Sequence, residues 1–136
     1  MNDYILQVKN LKTYFSMENG TLKAVDDMSF SLKRNETIGI IGESGCGKSV
    51  TAHSILRTVQ HPGKTLGGEI LYDDGNGPVD LVKYAPDSKE IRKLRGKDIS
   101  MIFQEPMASL SPVYTIGAQM MEAVMVHQGK KDKKAA

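Results

Sequence analysis

Gly42-Glu43-Ser44-Gly45-Cys46-Gly47-Lys48-Ser49 satisfies G-x-x-x-x-G-K-[ST], a spacing whose chemistry is the binding of a polyphosphate. Glycines leave backbone N–H groups bare enough to wrap a row of phosphates, and such a nest of donors holds anions. In that chemistry the N–H groups from Ser44 to Ser49 hold the phosphates, Lys48 reaches the β- and γ-phosphates, and the Ser49 hydroxyl binds Mg²⁺. Gly42, Gly45 and Gly47 supply the flexible backbone, and the N–H of Val50 follows directly. Cys46 occupies a variable position as a small residue that fits, although a thiol at a helix N-terminus can be unusually reactive.

Such a loop needs a strand in front and a helix behind. Thr37 to Ile41 is short, β-branched and continuously apolar, the pattern of a strand buried on both faces. From Lys48 the period changes: Val50, Ala52, Ile55 and Leu56 recur at helical spacing until His61-Pro62-Gly63 stops the helix. A helix beginning there aims free N–H groups and its positive dipole end at a phosphate.

The remaining elements frame this unit. Tyr4 to Phe15 predicts a strand with Tyr14 near its end, Glu18-Asn19-Gly20 a turn, and Val25, Met28, Phe30 and Leu32 a second strand closed by Lys33-Arg34-Asn35-Glu36. Glu69 to Tyr72 and Val79 to Val82 flank "DDGNGP" as a hairpin. Asp87 and Glu90 resemble a capping box for a short helix to Arg95, with Gly96 beyond its end. Ile99 to Phe103 is a further apolar strand. Thr115 caps a last helix in which Ile116, Met120, Val124 and His127 recur, with Met121 and Met125 widening the stripe.

The chain has 136 residues, 40% hydrophobic and 25% charged, with a net charge of +2. That length and composition suit one soluble globular domain, and no apolar run approaches the roughly 18 residues of a membrane span. The N-terminus lacks the apolar core of a signal peptide, so a cytoplasmic protein is expected. Cys46 is the sole cysteine, which excludes a disulfide framework and a cysteine metal cluster. The lysine run Lys130 to Lys134, without aromatic residues, reads as a soluble tail rather than a nucleic-acid site.

A phosphate loop alone is shared by kinases, GTPases, ATPases and transporters. The stretches "LKTYF", "AVDDMSFSLKRNETIGIIGESGCGKSVTAHSILR", "LRGKDISMIFQ" and "MIFQEPMASLSPVYTIGAQMMEAV" resemble the ATP-binding subunits of ABC transporters. The likeness is nearest to those serving dipeptide and oligopeptide importers, and it runs from Val8 to about His127. It implies an α/β fold: the N-terminal half of a P-loop NTPase-like ABC ATPase, with an antiparallel β part and an incomplete parallel core sheet. Residues 1–129 would form a partial ATP-binding domain and residues 130–136 a basic tail.

The resemblance also assigns roles. ATP and Mg²⁺ are the implied cofactors. Gln104 matches the Q-loop glutamine, which contacts Mg²⁺ and the attacking water, so Lys48 and Gln104 form the expected catalytic pair, with Ser49 and Gln104 as metal ligands. Tyr14 matches the aromatic residue that stacks on adenine, a contact needing only a flat π-face. Val50 stands where many members carry threonine, so its N–H alone can serve.

The family's glycine-rich signature, its apolar strand ending in Asp-Glu (Walker B) and its switch histidine are not found in the sequence. Ile70-Leu71-Tyr72-Asp73-Asp74 imitates the second, but it follows a glycine pair and runs into a turn. The expectation is therefore the N-terminal portion of an energy-coupling ATPase subunit, truncated before those motifs and inactive alone. In the family two such subunits sandwich two ATP molecules beneath transmembrane permease subunits, on the cytoplasmic face of the membrane and without membrane insertion. A second reading is a nucleotide-binding fragment without catalysis. A third, a small-molecule kinase, would want a lid of arginines, and Arg92 and Arg95 read more simply as a solvated face. Strands deprived of neighbours also predict self-association.

Overall fold

The structure, a computed structural model, describes residues 3–105 and 110–128. The chain divides into two compact units, Met1–Asp98 and Ile99–Ala136. The expected basic tail and residues 106–109 of the segment after Gln104 lie outside the described residues.

The first unit is built on an antiparallel sheet. β1 (Tyr4–Met17) and β2 (Gly20–Lys33) form a hairpin across Glu18-Asn19. β3 (Gly63–Tyr72) pairs with the other side of β1, and β4 (Val79–Asp80) with β3, giving the order β2-β1-β3-β4. β3 begins well before the Glu69 expected from the alternation, because the pair Gly67-Gly68 stays in the strand opposite a bulge at Asn10-Leu11 of β1 rather than breaking it. Lys9 faces Glu69 and Lys12 faces Gly67, and Gly68, at φ 90°, lies so close to the Lys9 and Asn10 carbonyls that a Cβ would not fit. Val8, Leu11, Val25, Ile70 and Tyr72 from the sheet are buried, together with Leu81 and Ile91.

The hairpin turn forms as the sequence indicates. The Asp73 carboxylate accepts the N–H groups of Gly75 (2.8 Å) and Gly77 (3.2 Å), and the Arg34 guanidinium donates to the Asp73 carbonyl at 2.7 Å. Strand β4 is shorter than expected because the Asp80 carboxylate accepts from Val82 at 3.1 Å and starts a 3₁₀ turn, Leu81–Lys83. Helix α1 spans Lys48–Ile55 and helix α2 Lys89–Leu94. The cap of α2 is Ser88, not Asp87: its hydroxyl accepts the Ile91 N–H at 3.3 Å. Gly96 follows at φ 78°, as a helix C-terminus favours.

Two strand expectations are corrected. Residues 37–41 hold no strand and pair with none among the described residues, and Ile38, Ile40 and Ile41 are 37%, 39% and 97% exposed. Apart from an isolated bridge at Ile99, residues 99–103 likewise hold no strand. A strand buried on both faces exists only between neighbouring strands and covering helices, so apolar character alone did not make one. The described sheet is wholly antiparallel; it is the antiparallel part of the expected fold.

In the second unit, helix α3 (Ile116–Gln128) is capped as expected, the Thr115 hydroxyl accepting the Ala118 N–H at 3.2 Å. The Gln119 amide ties the preceding loop to the helix, accepting from Ser111 N–H at 2.9 Å and donating to the Ser111 and Tyr114 carbonyls at 3.0 Å each. Its half-buried positions include Met121, Val124 and Met125, whereas Ile116 and Met120 are exposed.

Candidate functional site

The glycine loop is positioned from the sheet side. Thr13 pairs with Val25 and Tyr14 with Lys23, so Ala24 is an extra residue in β2, and the bulge turns its carbonyl outward. Gly47 packs on that carbonyl. A Cβ built on Gly47 would sit 2.2 Å from the Ala24 oxygen, and Gly47 has φ 92°. No other residue type fits both demands.

Helix α1 is held by polar contacts. The Ser54 hydroxyl donates to the Val50 carbonyl at 2.7 Å, so its single proton is spent and it accepts from Thr13 at 2.8 Å, with both residues buried. The Thr51 hydroxyl donates to the Gly47 carbonyl at 3.0 Å and lies 3.3 Å from Met28 Sδ. At the other end, Arg95 donates to the carbonyls of Leu56 (2.8 Å), Arg57 (2.6 Å) and Pro86 (3.0 Å). Arg95 is therefore a clamp on the C-terminal end of α1, where cations are favoured, and not part of a solvated face; Arg92 is exposed as expected.

Within the loop, Lys48 bends back across its own turn. Its ammonium donates to the carbonyls of Gly42 (2.6 Å) and Glu43 (2.7 Å) and lies 3.4 Å from Cys46 Sγ. Two of three donors thus tighten the loop, and the third rests on a weak sulfur acceptor that a phosphate oxygen would outcompete. Helix α1 has no side-chain cap. Of the N–H groups from Ser44 to Ser49, Cys46 alone donates to a backbone carbonyl among the described residues, to Glu43 at 3.3 Å. Uncapped donors, a positive helix end and an adjacent ammonium suit a polyphosphate. The Ser49 hydroxyl, exposed in the first turn, is available to a phosphate-bound cation.

Tyr14 lies one residue from Thr13, and its cross-strand partner Lys23 precedes Ala24, so the structure brings it to the hairpin that carries the loop. Its hydroxyl donates to Asp26 Oδ1 at 2.5 Å, and the Lys23 ammonium lies 5.4 Å from its ring centre and 3.3 Å from Asp26 Oδ2. The hydrogen bond to the Asp26 carboxylate raises the Tyr14 phenol above its ordinary value, and the same bond holds Asp26 below the usual carboxylate range. The bond accordingly persists at neutral pH and is lost as pH falls through the lowered Asp26 value or rises through the raised Tyr14 value.

Gln104 belongs to the second unit, exposed at a bend; its role rests on the family resemblance alone. His53 pairs through Nδ1 with the Thr58 hydroxyl at 2.9 Å. Ala24, Thr13, Ser54 and Asp26 went unnoticed in the sequence. A buried threonine in a strand and an extra residue in a hairpin leave no periodic signal.

The family model for ABC transporters matches residues 25–136. The dipeptide transport ATP-binding protein DppD of Bacillus subtilis is 45% identical over 97% of this chain and 38% of its own length. The glutathione import ATP-binding protein GsiA of Pectobacterium atrosepticum is 41% identical over 97% of this chain and 21% of its own. The chain thus spans well under half the length of the curated relatives it matches. The solved ABC transporter cassette MJ0796, described as a dimeric structure, superposes with a TM-score of 0.73 over 90% of this chain and 47% of that one, at 23% identity. Among the described residues no helix is long and apolar enough to cross a membrane.

Proposed function

Because this chain belongs to the ABC transporter family, we propose that it is the ATP-binding portion of an energy-coupling subunit of a peptide-type importer. The observation that carries the proposal is the loop from Gly42 to Ser49, with uncapped N–H groups and Lys48 folded over them. The names of the relatives, which concern dipeptide transport and glutathione import, support the transported class.

In this reading the N–H groups of Ser44 to Ser49 bind the phosphates, joined by the Val50 N–H, and the ring of Tyr14 stacks on adenine. Lys48 moves one donor from Cys46 Sγ to a phosphate oxygen while its bonds to Gly42 and Glu43 keep the loop closed. Ser49 would hold Mg²⁺, which neutralises phosphate charge when bound. The permease and a second ATP-binding subunit are the expected partners, at the cytoplasmic face of the membrane.

The sequence contains no Asp-Glu strand end to polarise water and no glycine-rich signature to close over a neighbour's γ-phosphate. Positioning and electrostatics supply most of phosphoryl-transfer catalysis, so this chain alone binds ATP without turning it over. Titration calorimetry with ATP, with and without Mg²⁺, tests the reading. Lys48→Ala is expected to weaken binding about 10- to 100-fold, the loss of one charged hydrogen bond to phosphate. Equal affinity of the two proteins, or ATP turnover by the chain that Lys48→Ala abolishes, would overturn it.

A further inference from the structure

We propose that Asp26 is a positioning residue for nucleotide binding, holding the ring of Tyr14 by its hydroxyl so that the ring is set before adenine arrives. This inference rests on the nucleotide reading above and deepens it.

The arrangement follows from the bulge. Because Ala24 is extra, Lys23 and Val25 fall on opposite faces of the hairpin although two positions apart. Val25 and Thr13 share one face. Asp26, the next residue, therefore returns to the face of Tyr14 and Lys23. The observed contacts agree: Tyr14 Oη to Asp26 Oδ1 at 2.5 Å, Lys23 Nζ to Asp26 Oδ2 at 3.3 Å, and Lys23 Nζ 5.4 Å from the ring centre. A regular strand would have sent Asp26 to the other face.

A free tyrosine at a half-exposed strand position rotates about two torsions, and fixing it on ligand binding costs affinity. A hydroxyl donating to a carboxylate is among the stronger side-chain hydrogen bonds. With the hydroxyl anchored on Asp26, the cost of fixing the ring is met in the free protein. The Lys23 ammonium holds the second carboxylate oxygen and lies over the ring. That fixes the carboxylate as well as the phenol.

The anchor acts on the base and not on the phosphates, which gives a test that a general loss of structure cannot imitate. ATP and inorganic tripolyphosphate would be titrated into the full chain and into Asp26→Asn, Tyr14→Phe and the double variant. Expected is a loss of about 3- to 10-fold in ATP affinity for each single variant, no further loss in the double variant, and unchanged tripolyphosphate affinity throughout. Asp26→Asn should also lower the pH at which Tyr14 ionises, read as the phenolate absorbance that Tyr14→Phe removes. Unchanged ATP affinity in Asp26→Asn, additive losses in the double variant, or parallel losses for tripolyphosphate would overturn the proposal while leaving the nucleotide reading intact. Failure of the unsubstituted chain to bind either ligand would overturn the nucleotide reading, and this inference with it.

Discussion

Gly45 and Gly47 look equivalent in the sequence and differ in the structure. Both have positive φ, 82° and 92°, but a Cβ on Gly45 meets nothing within 4 Å, whereas one on Gly47 meets the Ala24 carbonyl oxygen at 2.2 Å. Gly45→Ala should therefore cost only the left-handed backbone penalty, about 1–2 kcal/mol, and leave α1 in place. Gly47→Ala adds a backbone collision that no side-chain rotation relieves, so the loop must leave the sheet. A thermal melt with tripolyphosphate titration checks this: Gly45→Ala should bind within a few-fold of the unsubstituted chain, and Gly47→Ala should lose binding. The motif made both glycines legible, but the distinction between them belongs to Ala24, a residue that no phosphate-binding pattern names.

Helix α1 depends on two ends. Its sheet-facing side is tied by Thr13 to Ser54 and by Thr51 against Met28 Sδ, and its C-terminal end by Arg95. Ser54→Ala would leave the buried Thr13 hydroxyl without its acceptor, its remaining neighbour being the Thr65 hydroxyl at 3.4 Å. A destabilisation of about 1–3 kcal/mol is expected, seen as a lower denaturant midpoint at unchanged slope. Arg95→Met should instead fray the end of α1, seen as faster amide exchange at Leu56 to Thr58 with the loop's ligand affinity nearly kept. The helix and the two hairpins were legible because turn residues and periodicity are local properties. The cap of α2 was misplaced by one residue, since Asp87 and Ser88 are both good caps and only backbone geometry selects between them.

At the scale of the whole molecule, the segment 37–41 is the feature with the largest consequence. It is apolar and paired with no strand among the described residues, with Ile41 97% exposed. An exposed apolar segment whose backbone pairs with no strand is open to other chains, so the chain should self-associate in a concentration-dependent way. Light scattering would show it, and Ile41→Lys should shift the distribution toward monomer. A monomer at all concentrations would count against this. The same segment leads directly into the phosphate loop, so association that pairs it with another strand should change ATP affinity with protein concentration.

The sequence by itself determined the glycine loop, the helix behind it, the antiparallel hairpins and the family, because each is written in local spacing or in a motif longer than chance supplies. Tertiary structure alone decided which glycine touches backbone, which hydroxyl holds α1, that Arg95 clamps its end, and that Asp26 faces Tyr14. Those outcomes hang on the extra residue Ala24 in β2 and on contacts between segments far apart in the chain, as Thr13 and Ser54 are. It also decided that Thr37 to Ile41 is not a strand. A strand is a relation between two segments, and apolar side chains in a row specify one of them only.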